Sequence, residues 1–386
     1  MPNAPSCSSS WALPSRDTSV TPAGPLKAMR LPGEIALLRD LVAIPSVSGQ
    51  EEELAAFVED AARRWGLDVV RDARGVRIEL RGWAPGPTLA FASHLDVVPP
   101  GSGWTRDPFV PVLEGTRLYG RGSGDAKASV AAMLYAAKDL LDSGGMDGGR
   151  VLLLFGLGEE TSHTTMEAAV EIAGEIDAAV IGEPTNLDFA VAQRGLMIVD
   201  LVAQGDQRHA GNTAADGTFS NAAVALARDL LKLETLFGTR THSLLGRAAA
   251  TVTMLEAGVG RNVTPPVARA VLDVRSTPDW THEEIAQELR AALKSDVIVT
   301  SRRMVPCETP PGSRLLETAS RLRPEARHYG SPTCSDWVFF RGRDAIKCGP
   351  GTSQRSHTAD EYVDLPEVTA ARAFYAELVR AYLGGH

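Results

Sequence analysis

Apolar residues recur with a helical period over 34–43 and 51–65, and Gly66 supplies a stop after the second run. Three strand-like runs come next, at 67–71, 76–81 and 88–92. A helical pattern over 127–141 leads into a continuous apolar run at 151–155. A further helical stretch covers 166–173, and a second apolar run covers 178–181. Short apolar strands alternating with helices predict an α/β fold, a mixed sheet flanked by helices.

From about Arg194 the rhythm changes. A strand at 196–202, a helix at 221–236, strands at 249–255 and 268–274, a helix at 283–293 and a strand at 296–300 give the order β-α-β-β-α-β. That order is ferredoxin-like and predicts an inserted α+β domain. A Pro-rich stretch at 306–311 then marks the return to the first domain, with a short strand at 345–347 and a closing helix at 367–383. The expected organisation is a disordered leader over 1–28, a first catalytic segment over 29–192, an insertion over 193–304 and a second catalytic segment over 305–386. The leader is rich in Pro, Ser and Ala and has neither a basic nor an apolar secretory region, so Met29 is the expected natural start.

Composition narrows the class. The chain has 386 residues and a formal charge of -9, with 44% hydrophobic residues. An acidic chain has no general electrostatic attraction for nucleic acid or an anionic membrane, and no apolar run reaches the length of a membrane span. Cys7, Cys307, Cys334 and Cys348 are scattered, which predicts reduced thiols and a cytoplasmic protein. Cys334 is expected to be a packed thiol.

The candidate chemistry begins at Ser93-His94-Leu95-Asp96, at the end of the run over 88–92. Strand alternation predicts that His94 and Asp96 face the same way, so that the carboxylate holds one ring nitrogen and leaves the other for a metal. Other acidic or histidine residues also sit just past strands or in the turns after them: Asp125 after a Gly-rich turn, Glu159-Glu160, Glu183 and His357. Ligands of open α/β sheets bind beyond the carboxyl ends of strands, so these side chains could converge. Asp125 taken alone could also serve as an N-cap for the helix near Lys127. Two His, three carboxylates and a spare Glu suit two divalent metals, with Asp125 able to bridge them. Glu159 and Glu160 can share one site only if the chain bends there, which Gly156 and Gly158 permit. Neither H-E-x-x-H nor G-x-S-x-G occurs.

The strings 93–99 and 120–125, Glu159-Glu160, Gly182-Glu183-Pro184-Thr185, Gly349-Pro350-Gly351 and Ser356-His357-Thr358 together resemble the di-zinc amidohydrolase and metallopeptidase family. That family includes acetylornithine deacetylases, succinyl-diaminopimelate desuccinylases, aminoacylases and glutamate carboxypeptidases. The resemblance implies a zinc-exopeptidase-like catalytic domain with a ferredoxin-like lid that also forms a homodimer contact. It implies that His94 and Glu183 hold one metal, Glu160 and His357 the other, and that Asp125 bridges them. Zinc is the expected metal, with cobalt or manganese as alternatives. Asp96 would orient His94, and Glu159 would be the general base. His209 would meet the oxyanion, and Arg194, Asn262 and Arg275 would grip the substrate. Arg208, just before His209, stands where many relatives have Gly.

Within the family, the strings 124–129, 193–196 and 356–361 resemble those of short acetylornithine deacetylases. The implied reaction is hydrolysis of N-acetylornithine to ornithine and acetate, in arginine biosynthesis. N-succinyl amino acids, N-acetylcitrulline and dipeptides are the alternative substrates. A non-catalytic metal-binding scaffold is the alternative of a different class, but such a scaffold has no need of Glu159.

Overall fold

The computed structural model describes residues 31–212 and 219–384. The leader expected over 1–28 lies outside the described residues. So does most of the polar loop after His209.

From Gly33 onward, the described chain contains a nine-stranded mixed sheet. Its centre runs Gly148–Gly156, Ala84–His94, Ala178–Ile181 and Asp344–Lys347, and all of these neighbours are parallel. Parallel strands need crossover helices on the faces, and these strands are buried on both sides. Leu89 and Phe91 lean one way, where Phe91 meets the Tyr375 ring edge-on at 5.3 Å. Ala90 and Ala92 lean the other way, into a core with Leu152, Leu154, Met166, Trp337 and Phe340. Helices Gly33–Ala43, Lys127–Asp142 and Leu365–Leu383 pack together on the first face. Thr164–Ile172 and the short 3-10 helix Asp336–Phe340 cover the second.

Because the four central strands point the same way, their carboxyl ends lie along one edge of the sheet. His94 is the last residue of its strand and is in register with Gly156, so the turn carrying Glu159-Glu160 begins beside it. Glu183 comes just after Ile181, and the loop that leads to His357 starts beyond Lys347.

A separate four-stranded antiparallel sheet has the order Ala249–Ala257, Val267–Ser276, Gly195–Gln204, Asp296–Met304. This matches the ferredoxin-like expectation. Helices Ala222–Leu230 and His282–Ala292 cover one face, burying Leu226, Ile285 and Leu289 against Met197, Val199, Leu201 and Leu272. Thr281 and Glu284 cap the second helix reciprocally. The opposite face is open, and the edge strand Ala249–Ala257 is exposed along nearly its whole length.

Several expectations are corrected. The helix expected over 221–236 breaks into Ala222–Leu230 and Leu233–Leu236. Asp125 does not cap a helix: Ala126 holds the N-cap position of Lys127–Asp142, with no side-chain bond. The pattern also missed the short strands Phe189–Gln193, Cys307–Glu308 and His328–Ser331, and the small sheet formed by Val112–Glu114, Arg117–Tyr119 and Tyr362–Asp364.

Candidate metal centre

The five residues expected to hold metal come together at the carboxyl edge of the parallel strands. His94, Asp125 and Glu183 form one group, and Asp125, Glu160 and His357 form another; within each, one donor atom per residue lies within 4.8 Å of the others. His94 Nε2 is 3.3 Å from Asp125 Oδ1 and 3.9 Å from Glu183 Oε1. His357 Nε2 is 3.0 Å from Glu160 Oε1 and 3.6 Å from Asp125 Oδ2. Asp125 therefore turns one carboxylate oxygen toward each imidazole.

The surroundings explain this geometry. His94 Nδ1 lies 3.0 Å from the main-chain oxygen of Asp96. A carbonyl only accepts, so Nδ1 carries a hydrogen, and Nε2 is the nitrogen turned toward Asp125 and Glu183. The Asp96 carboxylate is 3.5 Å from the same nitrogen, but its closer bonds go elsewhere. It accepts the Glu159 N–H at 2.9 Å, the Glu160 N–H at 3.0 Å and the Ser48 hydroxyl at 2.7 Å. Asp96 thus builds the bend that puts both glutamates at one site. Gly158 completes that bend with φ +65, a conformation that L side chains rarely adopt.

Glu361 does the same for Asp125. This buried carboxylate accepts the N–H groups of Gly124 at 2.9 Å and Asp125 at 3.1 Å, and takes a 2.5 Å bond from the Arg121 guanidinium. His357 sits in a left-handed turn with φ 62 and is the most solvent-exposed member of the set, its side chain 53% exposed.

Electrostatics mark the cluster as a place for cations. Burial pushes Glu159 well above the ordinary carboxyl range, helped by the charges of Glu183, Asp336 and Glu160. Burial and the neighbouring Asp125 raise Glu183 to about 7. Burial opposes charge on His94, yet its bonds to Asp125 and Asp96 hold its proton to well above the usual imidazole range. Burial also opposes the charge on Asp96, but the His94 ring, the Ser48 hydroxyl and the Glu160 amide keep its carboxyl down at about 2. Four carboxylates packed around two imidazoles form a site short of positive charge. Two divalent cations supply what is missing, and the mixed His/carboxylate donors fit zinc, cobalt or manganese.

Three residues near the cluster had no assigned role in the sequence reading. His163 Nδ1 is 2.9 Å from Asp336 Oδ1 and 3.6 Å from Glu159 Oε1. Lys347 lines the same pocket. A lysine closing a short strand just after two apolar residues was the one signal available for it.

The residues expected from the insertion are not part of this cluster. His209 is exposed, and its Nδ1 accepts the Gly211 N–H at 3.1 Å. The Arg194 guanidinium donates to the main-chain oxygens of Arg247 at 2.8 Å, Arg275 at 3.3 Å and Leu245. Arg275 forks onto Asp273 at 2.7 and 3.0 Å. Asn262 lies in an exposed turn, and its carbonyl accepts the Ala210 N–H at 2.8 Å. Cys307, Cys334 and Cys348 are free thiols, and burial pushes Cys334 up to about 12, in keeping with a packed role.

The profile of Peptidase family M20/M25/M40 matches residues 90–381, and the chain belongs to this family of metal-dependent amide hydrolases. A succinyl-diaminopimelate desuccinylase of Cereibacter sphaeroides is 30% identical over 384 residues, covering 90% of this chain and 98% of the relative. One from Rhizorhabdus wittichii is 29% identical over 377 residues, covering 90% and 97%. Among solved structures, the M20 family metallo-carboxypeptidase Sso-CP2 of Sulfolobus solfataricus superposes with TM-score 0.73 at 20% identity, covering 91% of this chain and 99% of that one. The YXEP protein of Bacillus subtilis, a dinuclear metal-binding peptidase, superposes with TM-score 0.71 at 18% identity, covering 91% and 98%. These likenesses carry the fold.

Proposed function

We propose that this protein is a two-metal deacylase of N-acyl amino acids. The observation that carries this reading is the paired donor set, with Asp125 facing His94 and Glu183 on one side and Glu160 and His357 on the other. Two divalent cations held by His94, Asp125, Glu160, Glu183 and His357 would supply Lewis acidity and would lower the pKa of a water molecule toward neutrality.

The chain's own groups do the rest. Glu159 is held against the cluster by the Asp96 bond to its amide, with a carboxylate oxygen close to His94 and Glu160, a position that suits a general base. It takes the proton of the attacking water and returns it to the leaving amine. His163, itself anchored by Asp336, limits how far the Glu159 carboxylate can turn. The walls of Pro184, Tyr329, Pro332 and Cys334 restrict water around the reacting amide.

The segment 193–304 is proposed as a lid. Lid closure would bring His209 to the developing oxyanion and Asn262, Arg194 and Arg275 to the substrate. The exposed edge strand, with Met254 56% and Leu255 61% exposed, is the proposed homodimer contact. Three free thiols and the absence of any helix long and apolar enough to cross a membrane, among the described residues, favour a cytoplasmic location.

Two acyl groups compete. The desuccinylase relatives favour a succinyl group, whereas the strings 124–129 and 356–361 favour N-acetylornithine. Metal analysis combined with hydrolysis of N-acetylornithine, N-acetylcitrulline, N-succinylornithine, N-succinyl-diaminopimelate and a Gly-containing dipeptide tests the proposal. Two equivalents of metal with turnover of an N-acyl amino acid are expected. Full metal loading with no turnover on any member would instead favour the binding scaffold.

A further inference from the structure

The catalytic pocket holds one lysine that has no ion-pair partner within 4.0 Å among the described residues, the charge of Glu183 reaching it only at longer range. Lys347 ends the parallel strand Asp344–Lys347, one strand over from the one that leads to Glu183. It is 2% exposed, and its Nζ donates to the hydroxyls of Ser331 at 3.2 Å and Thr333 at 3.4 Å. Among the described residues, no carboxylate oxygen forms an ion pair with it within 4.0 Å, and its hydrogen bonds end on those two hydroxyls.

Buried ammonium groups are costly unless paired. Cations at the neighbouring donor sets would make the position worse, since they repel a lysine as they neutralise the carboxylates. Yet the strand register and the packing around Ile346 hold Lys347 in place. It lines the same cavity of about 240 Å³ as Glu159, Glu160, Glu183 and His357. That space admits a small molecule, and the Ser331 and Thr333 hydroxyls, now 3.0 Å from each other, can rotate to donate to an incoming anion.

Resting on the amide-hydrolase reading above, we propose that Lys347, with the hydroxyls of Ser331 and Thr333, forms an anion subsite for a carboxylate on the substrate's acyl group or side chain. The preferred substrate is then an N-acyl amino acid with a negative charge beyond the scissile amide. Lys347 acts in specificity and takes no part in proton transfer.

The test compares matched pairs on the metal-loaded full chain. N-succinylornithine against N-acetylornithine reads a carboxylate on the acyl side. N-acetylglutamate against N-acetylglutamine reads one on the side chain. Lys347→Gln should lower kcat/KM for the charged member of one pair by about ten- to a hundredfold. The neutral member and the metal content should hardly change, Lys347→Arg should restore much of the loss, and the pair affected names the end of the substrate that is read. Equal losses for charged and neutral members in both pairs would reduce Lys347 to a structural role and overturn the subsite.

Calorimetric binding of succinate against succinamide keeps the test independent of turnover. Selective weakening of succinate by Lys347→Gln supports the subsite, and equal weakening of both rejects it. If the wild type hydrolyses no substrate, the hydrolase reading fails, while this binding pair still decides the role of Lys347.

Discussion

The carboxyl edge of the parallel sheet and the four-stranded antiparallel sheet put their polar residues to opposite uses. At the parallel edge, the turns that carry three of the carboxylates are tied down by buried carboxylates: Asp96 holds the Glu159-Glu160 turn, and Glu361 holds the Asp125 loop. In the antiparallel sheet, Arg194 and Arg275 are spent on their own chain, and His209 stands in solvent. A strand buried on both faces stops at a fixed point and aims the turn beyond its end. A sheet with one open face leaves its outer groups to be completed by motion or by another chain. The proposed metal-binding residues are therefore brought together in advance, and the proposed substrate grip is not.

The widest separation between the two regions should come from Glu159→Gln. It is expected to cost kcat at least ~10²–10⁴-fold with both metals retained, whereas Asp125→Ala should empty or loosen both positions in metal analysis. Near-normal turnover by the glutamine variant would remove Glu159 from its role. On the antiparallel side, His209→Ala is expected to lower kcat by about 10²–10³-fold while leaving metal content alone. A variant as active as the wild type would mean that the second sheet does not reach the reacting carbonyl.

Rigidity at the parallel edge has its own signature in Lys127, two residues past Asp125. Burial lowers its ammonium to about 7 from 10.5, while Nζ donates to the carbonyls of Leu41 at 3.0 Å and Ile44 at 2.8 Å. Between these two values the unfolded chain binds the proton more tightly, so this site adds stability as pH rises and withholds it as pH falls toward 7. Denaturant unfolding at pH 7 and pH 9.5 should show a gain about 3 kcal/mol smaller in Lys127→Met than in the wild type. An identical pH response in both would show that Lys127 keeps an ordinary pKa in the fold. The smallest effect on chemistry is expected at the exposed edge strand. If the proposed homodimer forms through this strand, Leu255→Glu should halve the mass seen by sedimentation without disturbing metal content, and an unchanged mass would reject this contact.

The fold class and the site differed in how far they could be read from residues alone. Wholly apolar runs such as 151–155 and 178–181 announced buried strands, and the polar residues shortly after them marked where ligands would lie. Short strands such as Phe189–Gln193 and His328–Ser331 escaped notice because only their neighbours make them strands. Lys347 and His163 escaped because a single lysine or histidine has no periodicity to betray it.

By itself, the order of residues determined which groups could take part. His94 ends a strand, and Asp125, Glu160, Glu183 and His357 lie in turns and loops that follow strands, which leaves them near one edge of the fold. Tertiary structure alone decided which of them meet and what supports them. The Asp96 carboxylate bonds the Glu159-Glu160 turn more closely than it bonds the imidazole it was expected to orient, and Glu361 reaches across 236 positions of sequence to the amide of Asp125. The reason is physical: hydrogen bonds between distant segments are set by where packed strands end, and no local spacing encodes that meeting.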